Sequence, residues 1–251
     1  MSVCETLVRA SLVFLCAGSV ASGADAFWEL KDLPVAKKED REDQKSVPPL
    51  KGASVLFDGK SLDGWTTKDG KAPAKWKLVD GGAVEVHGGD IVSKQLIAGS
   101  VRLHVEFRVP YMPKEKGQGR GNSGVYLQGR YEVQVLDSFG ITKLETGDCC
   151  GIYGVKPAST NAAKAPTVWQ SYDIEFHAPK FEGGKKTEPA RMTVHWNGVK
   201  VHDDTKIPLD NTTAGMGGDP ATPGPLMLQD HGNPVQYRNI WIAPLEAAKA
   251  R

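Results

Sequence analysis

Within residues 121–138, apolar and polar residues alternate on both sides of Gly129, and this pattern constrains the fold more than any other in the chain. A repeat of two residues is that of a β-strand, and the Gly129-Arg130 pair between the two alternating runs predicts a tight hairpin turn. One face of this hairpin consists of valines and a leucine and is expected to face a core. The opposite face carries four other side chains: Tyr126, Gln128, Glu132 and Gln134. That face is either solvated surface or part of a site.

The two-residue period recurs along the chain, and we therefore expect an all-β protein. Residues 101–109 form the most regular strand, and residues 171–177 and 192–196 repeat its alternation. Asn197-Gly198 is the strongest short hairpin signal, and no segment has the 3.6-residue period of a long helix. Short strands separated by turn residues predict a two-sheet antiparallel β-sandwich of the jelly-roll type.

Some segments lack this alternation. Trp65 is assigned to no strand, and residues 111–121 and 179–189 are expected to be loops. Residues 215–225, which are rich in Gly and Pro, form another loop that is long enough to be functional or mobile.

The chain divides into four segments. Residues 1–26 contain an apolar run followed by small residues, which predicts an export signal peptide, because the run is too short for a good membrane span. Residues 27–52 are charged and contain prolines, and we expect an N-terminal arm that tethers the domain or lies on it. Residues 53–246 are predicted to form a single jelly-roll domain, and residues 247–251 a C-terminal tail.

The signal predicts an exported protein, periplasmic or extracellular. A lipoprotein signal at Cys16 ranks second, because Leu15 occupies the position where a small residue is wanted. Cys149 and Cys150 remain after the signal is removed. We expect one buried thiol beside a partly exposed one, with a strained, redox-active bond between them as the alternative.

The formal net charge of +1 gives no electrostatic reason for this chain to bind nucleic acid or an anionic membrane. The sequence contains no zinc motif, phosphate-binding loop or dinucleotide fingerprint. A calcium or magnesium ion held by carboxylate and carbonyl oxygens stays open, and no other cofactor is predicted. The oligomeric state is not predicted.

Two clusters of polar residues are candidates for chemistry. Glu132-x-Gln134-x-x-Asp137 has the spacing of the catalytic Glu-x-Asp-x-x-Glu strand in laminarinase-type glycoside hydrolases. Its central acid is Gln here and its last is Asp, which puts a displacement by two carboxylates in doubt. Asp230 and His231 follow a predicted strand, where loops commonly carry function. His231 suits proton transfer near neutral pH, and a turn histidine that caps a backbone carbonyl is the alternative.

Several separated blocks carry a resemblance to a known family. They are Leu-Phe-Asp-Gly at 56–59, Leu-Asp-Gly-Trp at 62–65, Trp76 with Asp-Gly-Gly at 80–82, Asn-Ser-Gly-Val-Tyr-Leu at 122–127, Tyr-Glu-Val-Gln-Val-Leu-Asp at 131–137, Gly-Ile-Tyr-Gly at 151–154, and Gln-Asp-His-Gly at 229–232 followed by Arg-Asn-Ile at 238–240. In order and spacing they resemble the 3-keto-disaccharide hydrolase family, although Trp169-Gln170 departs from its usual Trp-Asn pair. The resemblance implies a concanavalin- or laminarinase-like jelly roll and a small carbohydrate ligand, an oxidised disaccharide or glycoside.

The resemblance also implies chemistry on a sugar already oxidised at its third carbon: proton abstraction beside the ketone, elimination of the glycosidic oxygen and addition of water. Three catalytic residues are expected: Glu132, His231 and Asp137. Glu132 and His231 would act as base or acid, and Asp137 or Asp230 would orient them or bind a metal.

Nine further residues are expected to bind the substrate: Arg108, Asn122, Tyr126, Gln128, Gln134, Tyr153, Gln229, Asp230 and Arg238. Among them, Tyr126 would offer a stacking face and Arg108 would support the enolate. Gln128, Gln134 and Arg238 would hold hydroxyl groups.

A fold does not imply a function, so a non-catalytic carbohydrate-binding module on the same fold is the alternative. A structural or adhesive surface domain is a third. A binding module is expected to display two or three exposed aromatic residues, whereas Tyr126 is the one aromatic residue on the polar hairpin face. We therefore favour the enzyme.

Overall fold

The computed structural model describes residues 27–30, 33–34 and 37–245 of the 251-residue chain. The predicted signal peptide (1–26) and tail (247–251) therefore lie outside the described residues. Within the described part, the helical elements are short 3-10 turns at Lys38–Arg41 and Gly117–Gly119. No helix of this part is long and apolar enough to cross a membrane.

The described residues form fifteen strands. They are β1 (Ser54–Phe57), β2 (Trp65–Thr67), β3 (Lys77–Val79), β4 (Ala83–Glu85), β5 (Ile91–Ile97), β6 (Val101–Arg108), β7 (Ser123–Leu127), β8 (Tyr131–Val135), β9 (Gln170–His177), β10 (Lys180–Glu182), β11 (Lys185–Glu188), β12 (Ala190–Trp196), β13 (Val199–Ile207), β14 (Gly224–Leu228) and β15 (Gln236–Pro244).

Two antiparallel sheets carry most of these strands. The large sheet has the order β13-β12-β9-β6-β15-β4-β3, and β1 also pairs with β15. The small sheet has the order β2-β5-β14-β7-β8, and β10 and β11 form a separate hairpin. One continuous apolar core lies between the sheets. The predicted all-β, two-sheet sandwich is confirmed.

Alternation in β6 shows why the sequence forms this sandwich. Leu103, Val105 and Phe107 are buried in the core. Val105 pairs with Tyr172 of β9, and the rings of Phe107 and Tyr172 lie 4.6 Å apart. Full burial of one such side chain contributes about 1.5–3 kcal/mol, so a one-residue shift of register would be strongly disfavoured.

The β7–β8 hairpin differs from a half-exposed strand pair, because every residue of both strands is buried. Val125 and Val133 pair across the strands and face the core. The turn comprises residues 128–130, with Gln128 and Gly129 at φ of 51° and 66°. The polar face of this hairpin is therefore covered by other parts of the chain and is not solvated surface.

Two segments differ from their sequence-based prediction. Trp65 begins strand β2, which pairs with β5 at one edge of the small sheet. Residues 179–189 contain the β10–β11 hairpin instead of a loop, and it turns at Gly183-Gly184 with positive φ at both glycines. These strands are short, and β10 and β11 are mostly exposed, so neither leaves an apolar alternation in the sequence.

The cysteines also differ from expectation. Cys149 and Cys150 are both free and both fully buried in the core, so neither is the partly exposed thiol that was expected. The Cys149 Sγ lies 3.0 Å from the Tyr172 hydroxyl. Burial raises the pKa of Cys149 to about 12, and both cysteines pack as neutral core side chains.

The charged N-terminal arm lies on the outer face of the large sheet. The backbone N–H of Trp169 donates to Asp43 Oδ1 at 2.9 Å, and Asn239 Nδ2 donates to the Val47 carbonyl at 2.8 Å. The hydroxyl of Ser46 donates to Glu106, which points outward from β6. The arm is therefore held by polar contacts at several points along its length.

Glu106 is the centre of these contacts and is 1% exposed. It accepts hydrogen bonds from Asn239 Nδ2 at 2.7 Å and from Arg238 Nε at 2.7 Å. Although burial alone would raise the pKa of Glu106, its bonds to His104, Ser46 and these two residues lower it to about 2. Burial would likewise lower the pKa of His104, but its bonds to Asp173 and Glu106 raise it to about 9.

We expect Glu106→Gln to lower the free energy of unfolding by about 3–5 kcal/mol near pH 5.5, because it removes the buried carboxylate that pairs with His104 and Arg238. The Glu106 carboxylate stabilises the fold above its ordinary pKa of 4.5 and loses this effect as pH falls towards 2. The loss should therefore shrink at low pH in urea unfolding experiments. Glu182→Gln, in an exposed strand, is the control, and an equal loss at pH 2.5 and 5.5 would contradict the assignment.

Candidate active site

A pocket of about 200 Å³ lies against the polar face of the β7–β8 hairpin. It is lined by Gln118, Asn122, Glu132, Gln134, Tyr153, Thr213, Ala214, Gln229 and His231. Six of these were predicted from the sequence as site residues: Asn122, Glu132, Gln134, Tyr153, Gln229 and His231. A larger groove of about 730 Å³ at the large sheet is lined by His177 and by Arg102 and Glu175, which form an ion pair with each other, and it contains no buried carboxyl group. The smaller pocket therefore holds the groups that suit chemistry.

Glu132 is the buried acid of this pocket. It belongs to β8, points away from the core, and is 2% exposed. Burial raises its pKa to about 7; a hydrogen bond from the Tyr126 hydroxyl opposes this rise, and the charge of Asp90 adds to it. A carboxyl group with this pKa exchanges its proton readily near neutral pH, as a general acid or base must.

Tyr126 lies directly across the strand pair from Glu132. Its hydroxyl accepts a hydrogen bond from Gln229 Nε2 at 2.9 Å. The ring is fully buried against Val92 and Met227, so it offers no face on which a sugar could stack. The predicted stacking role is corrected: Tyr126 orients the Glu132 carboxylate.

Gly124 leaves the space that the Glu132 carboxylate and the Tyr126 ring occupy. A Cβ atom at this position would lie 2.7 Å from Glu132 Oε1 and 2.7 Å from Tyr126 Cε2. Any larger residue would displace one of these two groups. The glycine is therefore required by close approach of side chains within the sheet.

Amide side chains form a second wall. Gln134 Nε2 donates to Gln118 Oε1 at 3.1 Å and to the Gly147 carbonyl at 3.2 Å. Asn122 Nδ2 donates to the Gln118 carbonyl at 2.8 Å. Within the described part of the chain, the buried Asn122 Oδ1 has no hydrogen-bond partner. An unpaired buried acceptor of this kind suits a ligand hydroxyl group.

His231 stands at the exposed rim of the pocket. It follows β14, whose neighbouring residue Gln229 is fixed by a hydrogen bond from its N–H to the Gly124 carbonyl at 3.0 Å. The loop after β14 thus places an exposed histidine at the cavity that the buried Glu132 of β8 also lines. Such a pair can donate and accept protons on two sides of a bound molecule.

Three pocket residues were not predicted: Gln118, Thr213 and Ala214. Gln118 lies in the loop before β7, and the other two lie in the Gly-rich connection between β13 and β14. The predicted loop 111–121 contains Gln118, whereas the predicted loop 215–225 begins just after Ala214. Alternation carries no information on where a loop packs, so neither prediction indicated a contact with the hairpin.

Besides Tyr126, five predicted site residues do not line this pocket, and three of them have partners of their own elsewhere. Gln128 is in the hairpin turn, where its Nε2 donates to the Ile97 carbonyl at 3.1 Å. Asp137 lines a separate pocket of about 170 Å³, with its Oδ2 3.1 Å from Arg120 Nε as an ion pair. The Asp230 carboxylate accepts backbone N–H groups of its own loop and of Gly89, at 2.8 and 2.7 Å. The structure gives these side chains local partners instead of bringing them to Glu132.

Arg108 and Arg238 lie on the outer face of the large sheet, beneath the N-terminal arm. Their guanidinium groups pack over the Trp169 ring at 4.8 and 4.1 Å. Arg108 Nε also donates to Gln236 Oε1 at 2.8 Å. The structure therefore does not bring Arg108, predicted to support an enolate, or Arg238, predicted to hold a hydroxyl group, to this pocket on the small sheet.

No cluster of three or more His, Cys, Asp or Glu side chains that could hold a metal ion occurs among residues 27–30, 33–34 and 37–245. Glu132 and His231 are the acid–base groups of the pocket, and its other lining residues are amides, hydroxyls and an alanine. The open prediction of a calcium or magnesium ion stays untested.

A β-sandwich with a buried carboxyl group and a histidine around one pocket fits a hydrolase-type enzyme. Comparison with known proteins agrees with this class. Residues 52–243 match the 3-keto-alpha-glucoside-1,2-lyase-like domain, and the chain belongs to this family.

The chain is 26% identical over 240 residues to a 3-keto-disaccharide hydrolase of Bacteroides thetaiotaomicron, covering 78% of this chain and 79% of that protein. It is 35% identical to a solved structure of a proposed glycosyl hydrolase from Parabacteroides distasonis, with a TM-score of 0.68, covering 83% of this chain and 97% of that one. A second proposed glycosyl hydrolase of P. distasonis, at 20% identity and a TM-score of 0.56, covers 84% of this chain and 99% of its own and shows the shared fold.

We expect Gly124→Ala to destabilise the fold by about 1–3 kcal/mol and to displace Glu132, because its Cβ has no room. Unfolding in urea measures the loss. Gly99→Ala is the matched control, since a Cβ there meets nothing within 4 Å. Equal stability of the two variants would contradict the close packing at Gly124.

We also expect Glu132→Gln to stabilise the protein at pH 8 by on the order of 3 kcal/mol. The folded pKa of about 7 exceeds the ordinary 4.5, so ionisation of Glu132 costs stability as pH rises through this range. Below pH 4.5 the gain should vanish, which thermal unfolding at both pH values would reveal. No gain at pH 8 would show that the carboxyl group is hydrated in the folded state.

Proposed function

We propose that this protein cleaves 3-keto-glycosides, such as 3-keto-disaccharides, by proton abstraction beside the ketone followed by elimination and hydration. The observation that carries the proposal is the buried Glu132, whose pKa of about 7 suits a general base, in one pocket with His231. Family membership and the names of its relatives support the substrate class.

A ketone at the third carbon acidifies the hydrogen at the second. Glu132 would take this proton, and the electron pair of the broken C–H bond would form the enolate. Its collapse would form the double bond between the first and second carbons and break the bond to the glycosidic oxygen. His231, at the rim, would protonate this oxygen as it leaves.

Water would then add across the double bond, with hydroxyl at the first carbon and hydrogen at the second. The products are a 3-keto sugar and the released alcohol or second sugar, so atoms balance without an oxidant. This route needs one base and one acid and no second carboxylate at the sugar, which fits Gln134 at the position where laminarinase-type enzymes carry an acid.

The amide wall would hold the sugar and its enolate. Asn122 Oδ1 is an unpaired acceptor for a hydroxyl group, and Gln118 Nε2 has a second N–H besides the one it donates to the Gly147 carbonyl. Tyr153 adds a hydroxyl group and is the one aromatic residue lining the pocket. A non-catalytic binding module would be expected to present more aromatic surface, so the lining supports the enzyme.

We include export in the proposal, on the strength of the apolar run and small residues within residues 1–26. The mature protein would act in the periplasm or outside the cell.

We expect purified protein to release the second sugar from 3-keto-sucrose or 3-keto-trehalose. Glu132→Gln and His231→Ala should each lower turnover by about 10²–10⁴-fold, as loss of a general base or acid does. Glu182→Gln and His195→Ala are matched controls outside the pocket. In D₂O the released keto sugar should carry deuterium at its second carbon, which direct displacement would not introduce.

Binding of a plain glycan without any release from keto-sugars would contradict the enzyme and favour a binding module. Full turnover in both pocket variants would place the chemistry elsewhere in the protein.

A further inference from the structure

We propose that Arg130 is a positioning residue for this site: it holds the loop of residues 211–222 against the β7–β8 hairpin, so that Thr213 and Ala214 stay closed over Glu132. Arg130 does not line the pocket and would act through the loop. The catalytic consequence depends on the proposed function, whereas the structural part does not.

Arg130 is 4% exposed, and within the described part of the chain its guanidinium group donates all of its hydrogen bonds to one loop. Its Nη2 donates to the Asp219 carbonyl at 2.7 Å, and to the Thr222 hydroxyl at 3.1 Å. Its Nη1 donates to the Thr222 carbonyl at 3.0 Å, and its Nε to the Gly217 carbonyl at 3.2 Å. All four partners are uncharged oxygens of the loop. A planar guanidinium can bind several carbonyls at fixed angles, which the single ammonium of lysine cannot do.

The loop is also bonded to the backbone of the hairpin. The Thr212 N–H and hydroxyl both donate to the Arg130 carbonyl, at 2.9 and 2.8 Å. The Thr212 hydroxyl in turn accepts the backbone N–H of Glu132 at 3.2 Å. Met216 N–H donates to the Gly129 carbonyl at 2.7 Å. The loop is thus joined to the strand at the catalytic candidate itself.

Glycines in and beside the loop show how closely it is packed. A Cβ at Gly215 would lie 2.9 Å from the Arg130 carbonyl oxygen, and a Cβ at Gly224 would lie 2.2 Å from the Gln128 carbonyl oxygen. Backbone atoms cannot move aside as a flexible side chain can. The loop therefore packs closely against the hairpin turn in one position.

In this position the loop covers part of the polar face of the hairpin. Ala214 packs against the buried cluster that contains Tyr126, and Thr213 and Ala214 both line the pocket. Burial is the largest cause of the raised pKa of Glu132. If the loop lifts, water reaches Glu132 and Tyr126, and the proton affinity of the base falls.

The test compares wild-type protein with Arg130→Ala and Arg130→Lys. Titration of the Glu132 carboxyl carbon by NMR should show the pKa fall from about 7 towards 4.5 in Arg130→Ala, with an intermediate value in Arg130→Lys. This measurement needs no substrate. Arg191→Ala is the matched control, because Arg191 lies on exposed β12–β13 surface and pairs with Asp204 at 2.9 Å.

Activity gives a second readout. We expect kcat/KM of Arg130→Ala at pH 8 to fall by about 10–100-fold through misplacement of the base. The rise of kcat/KM with pH should move to lower pH, because a base of lower pKa is ionised in more acidic solution. Added guanidinium should restore part of the loss, with urea as the uncharged control.

A folded Arg130→Ala protein that keeps both the Glu132 pKa and the pH profile would overturn the proposal. So would failure of both Arg130 variants to fold, which would assign Arg130 a purely structural role. If the Glu132 pKa falls but wild-type protein cleaves no keto-glycoside, the positioning role stands and the proposed function fails.

Discussion

The burial of one carboxyl group, that of Glu132, is the constraint on which the rest of the site depends. A strand pair in a sandwich normally turns one face to water, and an acid on that face would be fully hydrated. Here the core covers one face of β7–β8, and the loop of residues 211–222 covers part of the other, together with the loops that carry Gln118 and His231. Gly124 makes room for the carboxylate, Tyr126 donates to it, and Thr212 accepts its backbone N–H. Each of these features makes room for the buried Glu132 or satisfies one of its polar groups.

The sandwich itself could be predicted from the sequence, because alternation directly reports which residues of a strand share a face. Residues 103, 105 and 107 face the core as their period requires, and Asn197-Gly198 turns with both φ angles positive, at 52° and 81°. The same pattern cannot say what covers the other face. Glu132 and Thr212 are separated by 80 residues, and no periodicity links them.

The site was predicted in part for the same reason. The hairpin and the loop after β14 do meet at one pocket, so Glu132, Gln134 and His231 lie together. Arg108 and Arg238 were predicted to bind substrate, but alternation does not reveal which of the two sheets a polar face belongs to. On the large sheet their partners are Trp169 and the arm. Arg130 was read as a turn residue, since its role depends on carbonyl groups about 90 positions further along the chain.

Two buried glutamates on opposite sheets differ in role because their surroundings shift their pKa values in opposite directions. Burial acts to raise the pKa of both, yet Glu106 receives bonds from His104, Ser46, Asn239 and Arg238, and its pKa falls to about 2. Glu132 receives one from Tyr126 and faces the negative charge of Asp90, and its pKa rises to about 7. Glu106 is therefore permanently ionised and holds the arm, whereas Glu132 is poised between its two forms near neutral pH. Cationic partners make Glu106 a structural anchor, whereas the hydrogen-bond partner that lowers the pKa of Glu132 is the neutral Tyr126, which leaves Glu132 able to exchange a proton.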